Sequence, residues 1–282
     1  MAAEAVKKEI YSEIPMRTWR WLGVNEAKVG EALLMDTEEK IITVPEGSKN
    51  SLVVVYRKES HGQLRIRLEE GAELSLTRVQ LLPGDAVHAG TVEAVVAAGA
   101  KLHYTAVEAG AASSVTKLTV DLQGDESAAD VAALYLGDGT RQIDMNYVIR
   151  QQGKNTRADM QVRGALLGES QKIFRGTLDF LRGSKGSQGH ENEEVVLLSP
   201  KVRNRSVPLM LSGEDDVDGH HAVSVGKMDE NKLFYLMSRG MDLAEARRLV
   251  VEAAFNPVLE RVPEQALREE IDEYIKGRLS HD

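Results

Sequence analysis

Apolar and polar residues alternate with a period of two in a succession of short runs from about Ile41 to Val225. LVVVYR, LRIRL, VTKLTVDL, IDMNYVI, MQVRGALL, TLDFL, EVVLL and VPLMLS all read as strands with one buried face. Short clusters of Gly, Asp, Ser and Asn separate them, without the amphipathic helices of about 10 to 15 residues that a doubly wound α/β fold requires. EEGAELSLTRVQ (69–80) and AAGAKLHYTAVE (97–108) form a near-repeat that aligns without gaps at an offset of 28. Gly71 and Gly99, Ala72 and Ala100, Leu74 and Leu102, Thr77 and Thr105, and Val79 and Val107 coincide. The Gly-Ala pair predicts a tight turn before each strand. The spacing is too long for one hairpin and suits one coil of a parallel β-helix, whose inward apolar residues stack on those of the next coil; a β-sandwich is the other architecture these strands allow.

After Gly226 the period changes to that of helices. Asp229 is placed to cap a helix through LFYLMSRG that stops at Gly240, the left-handed position. Asp242 and Glu245 form a capping-box pair for DLAEARRLVVEAAF, with Ala246, Leu249, Val250 and Ala253 on the predicted apolar face and Pro257 closely following the helix. Pro263 suits the first turn of a last helix reaching about Lys276, with Leu267, Ile271, Tyr274 and Ile275 on one face. Such a module can cap the end of the β-region, dock a partner, or do both with different helices.

Composition narrows the function classes. The 282 residues carry 35 Lys+Arg against 44 Asp+Glu, a net charge of -9 that repels a nucleic-acid backbone. MAAEAVKKEIYSE lacks the apolar stretch of a signal peptide, and no run approaches about 18 apolar residues, so the expected location is cytoplasmic and away from membranes. There is no cysteine, which removes disulfides, CxxC redox chemistry, thiol nucleophiles and thiolate metal ligation.

Arg182 to Glu194, RGSKGSQGHENEE, has the glycines of a phosphate loop but not GxxxxGK[ST], since no Ser or Thr directly follows Lys185; it reads as a solvated loop. His190, Glu191, Glu193 and Glu194 offer metal-binding groups, as do His220 and His221 after EDDVD. Adjacent residues on a strand point to opposite faces, so His220 and His221 do not share a metal, whereas one His from each segment can meet in space. A carbohydrate-active β-helix enzyme is the competing class. Paired carboxylates are plentiful, but only 5% of residues are aromatic and Trp19 and Trp21 lie outside the β-region.

The stretch from Phe174 to Pro257 resembles the SufB/SufD core of the Suf iron-sulfur cluster assembly machinery. FRG (174–176) opening a strand, Pro208 inside a strand-like run, and DDV (215–217) followed by His221 and Val225-Gly226 carry the resemblance, together with LFYL-x-SRG (233–240) and its following D-x-x-E-A helix. PMRTWRWLGVNE (15–26) is similar to the N-terminal segment of short members. The resemblance implies a partly helical segment over 1–36, a right-handed parallel β-helix over 37–227 and a helical module over 228–282 that docks the SufC ABC-type ATPase. Leu233, Phe234, Tyr235, Arg239, Gly240 and Leu249 are the implied docking residues.

It also implies pairing with a SufB-like or identical second subunit through the β-helices, with the nascent cluster forming near that junction. An essential cysteine of SufB matches Glu193 and an important glutamate matches Ala222, so both are missing, whereas a functional histidine of SufD matches His221 and is present. Clusters are held mainly by thiolates, with imidazole as a supplementary ligand. The implied role is thus that of a SufD-like scaffold and not an enzyme, with His221 a ligand or cluster-shaping group and Glu193 a lesser oxygen ligand. No cofactor is expected to bind stably, and a transient iron-sulfur cluster or iron is expected at the subunit interface. A minimal homodimeric scaffold with SufC alone is the alternative within the family.

Overall fold

The offset of 28 is the step from one coil to the next: Glu73 pairs with Lys101 and Gln80 with Glu108 in a parallel ladder. A computed structural model describes residues 8–14, 20–30 and 37–279. Strands β1 (Lys8–Glu13) and β2 (Glu26–Gly30) make an antiparallel pair. Among the described residues of 1–36, helical character is confined to the 3-10 turn Arg20–Leu22, and 15–19 of the N-terminal pattern lie outside them. The chain then winds in coils that supply β3 (Thr37–Val44) and β4 (Lys49–Tyr56), β5 (Ser60–Leu68) and β6 (Glu73–Gln80), and β7 (Val87–Val96) and β8 (Lys101–Glu108). The next coils supply β9 (Ser113–Leu122) and β10 (Ala128–Gly137), β11 (Gln142–Gln151) and β12 (Arg157–Leu166), β13 (Gln171–Phe180) and β14 (Ser187–Leu197), and β15 (Arg203–Ser212) and β16 (Val217–Lys227). Odd-numbered strands from β3 to β15 form one seven-stranded sheet and even-numbered strands from β4 to β16 the other. The fold is a β-solenoid, not a sandwich.

Its coils stack because every second side chain enters the space between the sheets. Leu74, Leu76, Leu102, Leu118, Val131, Ile149 and Phe174 belong to one buried cluster. Each large side chain so withdrawn from water contributes about 1.5–3 kcal/mol. The Gly-Ala corners stack as well: Gly71 and Gly99 both take φ 64, a left-handed backbone that other residues adopt only with strain. Their N–H groups donate to Ala98 and Asp125 carbonyls, each at 2.9 Å, one coil further on.

Helices α1 (Glu230–Ser238), α2 (Leu243–Leu259) and α3 (Gln265–Leu279) follow the last coil. Asp229 accepts from the Asn231 and Lys232 N–H groups, Gly240 has φ 96, and Asp242 with Glu245 completes the capping box. Where the sequence left end-capping open for this module, α2 and α3 lie instead along the outer face of the second sheet. Val251, Phe255, Ile271 and Ile275 pack there on Val79, Val107, Leu134 and Ala165. Arg261 holds Asp130 through two bonds of 2.9 and 2.8 Å, and Tyr274 Oη donates to the Leu82 carbonyl at 2.8 Å.

Three further expectations change. The buried face of α2 runs through Ala246, Val251, Phe255 and Val258, leaving Leu249 and Ala253 exposed, because the sheet supplies its apolar counterpart on that side. Pro257 lies inside α2, where burial of Val258 and Leu259 continues past the missing N–H. The run from Arg182 is a tight turn that passes into β14, not a loop, with Ser184 and Ser187 buried at the corner.

Candidate functional site

The strands of the last coil, β15 and β16, have a neighbour on one side only. Along β14 the odd-numbered residues Ser187, Gly189, Glu191, Glu193 and Val195 are buried and face the interior. The ladder places Gly219, His221, Val223 and Val225 of β16 in the same phase. With no further coil over them among the described residues, Val223 is 37% and Val225 43% exposed, and His221 is exposed too. The solenoid thus ends in an open mouth with an apolar rim.

Just inside the mouth lies a charged group of unusual burial. Lys172 of β13 and Glu193 of β14, both with side chains wholly buried, form an ion pair. Lys172 Nζ also donates to Ser206 Oγ at 3.0 Å and to the Arg205 carbonyl at 3.3 Å, and Tyr135 Oη donates to Glu193 at 3.0 Å. These bonds offset the several kcal/mol that desolvating each charge costs. Burial pulls the Lys172 ammonium down to about 8, against the opposing pull of Glu193. Glu191, 2% exposed, is pushed up to about 8, chiefly by burial and secondly by the neighbouring Glu193. Neither Glu191 oxygen has a hydrogen-bond partner among the described residues. Burial thus favours the neutral, protonated form of Glu191 beside the ion pair.

The FRG triplet builds this region from three sides. Phe174 points inward, with its ring edge-on to Tyr147 at 5.7 Å between centroids and the Lys172 Nζ 5.8 Å away. A Cβ on Gly176 would lie 2.0 Å from Glu191 Oε1, so glycine there leaves room for the carboxyl. Arg175 points outward and is fully buried under the N-terminal segment: it binds Asp144, the Val24 carbonyl, and the Glu26 carbonyl at 3.2 Å. Arg175→Ala is expected to cost about 2–3 kcal/mol and to release that segment, seen as faster limited proteolysis within residues 8–30.

The sequence-derived residues fall in separate places. Glu193 is committed to Lys172 and Tyr135 inside the wall. His221 lies one strand on, opposite Glu191, at the open mouth. Ala222 faces outward, as do His190 and His220, whose rings stack. Phe234 and Tyr235 on α1 are 74% and 57% exposed, with Arg239 5.3 Å over the Tyr235 ring. Leu233 is half-buried and lines a groove with Leu198, Pro200 and Arg247, while Gly240 and Leu249 are exposed. No helix among the described residues is long and apolar enough to cross a membrane.

Residues 27–254 match the SufBD core domain of SUF system FeS cluster assembly. The chain belongs to the SufBD core family. A SufBD relative named iron-sulfur cluster assembly protein SufD, from Bacillus subtilis, is 29% identical over 166 residues, covering 59% of this chain and 38% of its own. An iron-sulfur cluster assembly SufBD family protein of Pyrococcus horikoshii is 30% identical over 197 residues, covering 70% of this chain and 44% of its own. A chloroplastic SufBD family protein of Arabidopsis thaliana is 25% identical over 165 residues. The match therefore spans less than half the length of each of the first two relatives.

For this SufBD core, sequence reasoning passed over Lys172, Tyr135 and the inward turn of Glu191, and singled out Arg175 only as part of FRG without assigning it a partner. No local signal marked Glu191: Val195 and Leu197 on one phase and Val196 and Leu198 on the other are all apolar, so counting back in steps of two favours neither phase.

Proposed function

We propose that this SufBD core is a SufD-like scaffold for iron-sulfur cluster assembly, without catalysis of its own, that joins a SufC-like ATPase to a second SufBD subunit. The observation that carries this reading is that two apolar surfaces remain uncovered, α1 and the rim of the last coil, while the apolar patches on the outer faces of β6 to β12 and of part of the first sheet are already packed on other elements. On the second sheet α2 and α3 pack on outward residues of β6 to β12, and on the first the N-terminal segment packs through Ile14 and Val24 on Val207 and Leu209 and through Ala27 and Val29 on Ala89 and Val115. Phe234 and Tyr235 project from a well-capped helix, the form in which aromatic anchors serve a partner's pocket. An exposed strand such as β16 offers unpaired backbone groups to another chain.

In this reading the cluster is cargo formed at the junction of two scaffolds, with His221 at the mouth as the imidazole contributed from this side. A chain without cysteine supplies no thiolate, which favours a cysteine-bearing SufB-like partner over an identical copy. Glu193 is held by Lys172, so the oxygen-ligand role carried over from the resemblance would first require breaking that pair. The reading is tested by co-expressing the chain anaerobically with the SufC-like and SufB-like proteins of its own genome and asking whether they purify together. A sugar-binding solenoid is disfavoured, since the exposed aromatics among the described residues, Trp21, Phe234 and Tyr235, lie outside the sheets.

A further inference from the structure

His190 on β14 and His220 on β16 stand directly opposite one another in the parallel ladder. Both side chains leave the outer side of the wall, away from Glu191 and His221, because they occupy the opposite phase of their strands. The two rings stack with centroids 5.3 Å apart and planes inclined by 10°. Asp218, two residues before His220 and so on the same face, brings Oδ1 to 2.9 Å from His220 Nε2. One ligand atom from each of the three lies within 4.8 Å of the others. Strand register enforces this grouping: neighbouring strands run about 4.8 Å apart and residues two apart share a face.

We propose that His190, His220 and Asp218 bind a divalent first-row transition ion on the outer wall of the last two coils. Two imidazoles and one carboxylate suit Zn2+, Co2+, Ni2+ or Fe2+, whereas Mg2+ and Ca2+ prefer all-oxygen shells. Donors in a tetrahedral shell at about 2.0–2.1 Å from the metal stand roughly 3.4 Å apart, so the three groups close on the ion by side-chain rotation alone. All three are exposed and free to do so, with Asp218 exchanging its bond to His220 for the metal. Three protein ligands leave a position open to solvent or to a donor from another molecule. Asp159, opposite His190 on β12, adds a carboxylate to the same column. The site ties β16 to β14, so a bound ion would clamp the edge strand. The inference stands apart from the assembly reading, since none of the three groups faces the mouth or α1.

The test is isothermal titration of the full-length, untagged, EDTA-stripped chain with ZnCl2, and optical titration with CoCl2. One ion per chain is expected, together with slower hydrogen exchange in β16. His190→Ala and His220→Ala should each weaken binding at least tenfold with an unchanged circular dichroism spectrum. Absence of stoichiometric binding, or wild-type affinity in the His190→Ala or the His220→Ala variant, would overturn the site.

Discussion

Lys172→Met is expected to destabilise the folded chain by about 3–5 kcal/mol, the range for breaking a buried ion pair by removing one partner. The side chain lost is wholly buried, and its departure leaves the Glu193 carboxylate facing only Tyr135, with a second carboxyl, Glu191, nearby. Removing the charge on the other side should repair most of the damage. In Lys172→Met/Glu193→Gln the amide oxygen still accepts from Tyr135 Oη, and no net charge is buried at the pair. Denaturant unfolding of the single and double variants checks this. A single variant within about 1 kcal/mol of wild type would mean that the pair is hydrated and that the mouth is not closed around it.

Stability is expected to fall as pH rises through the window from about 4.5 to about 8, and Glu191 is the group expected to carry that slope. In the folded chain Glu191 keeps its proton up to about 8, against an ordinary value of 4.5, because burial disfavours the charged form. The folded state therefore holds a proton that the unfolded state releases, and the stabilisation is full below about 4.5 and lost as pH climbs through 8. The limiting slope is about 1.4 kcal/mol per pH unit. Lys172 acts in the reverse sense above that window: with its value lowered from 10.5 to about 8, the folded state holds fewer protons, and stability recovers towards 10.5. Glu191→Gln, neutral at every pH, should remove the fall between 4.5 and 8 and stand above wild type by a few kcal/mol near pH 8. Parallel melting-temperature curves for the two proteins would show instead that Glu191 is ionised in the fold.

How far the sequence carries can be followed residue by residue. The Gly-Ala repeat fixes the coil, since Gly71 over Gly99 and Leu74 opposite Leu102 are the register itself. The starts of α1 and α2 were equally legible, because Asp229, Asp242 and Glu245 act locally on the backbone of the next turn, whereas Pro263, read as part of the first turn of α3, lies two residues before it. Strands β7 and β10 were not. β10, AADVAALYLG, is rich in Ala and Leu, good helix formers, and its extended form is imposed by β8 and β12 on either side. The phase of α2 was missed for the same reason: which residues are buried depends on the outer face of the second sheet, up to about 200 residues earlier in the chain.

Charge explains the rest of what was hidden. In QGHENEE both phases of the strand are polar, so alternation alone does not tell inside from outside, and a charged run ordinarily marks a solvated surface. Lys172 lies 21 residues before Glu193, and no local rule links them; coil stacking does. By contrast the meeting of His190 with His220 follows from placing both on strands of the same sheet, and only the register of β14 on β16 was missing.

The central claim, a scaffold that joins an ATPase to a second SufBD subunit, is tested most directly by native mass measurement of the complex purified after anaerobic co-expression. The expected result is one assembly containing this chain, the SufC-like ATPase and a SufB-like chain, from which Phe234→Asp/Tyr235→Asp selectively removes the ATPase while the solenoid melts unchanged. Recovery of this chain alone, with the ATPase and the SufB-like protein in separate fractions, would contradict the claim.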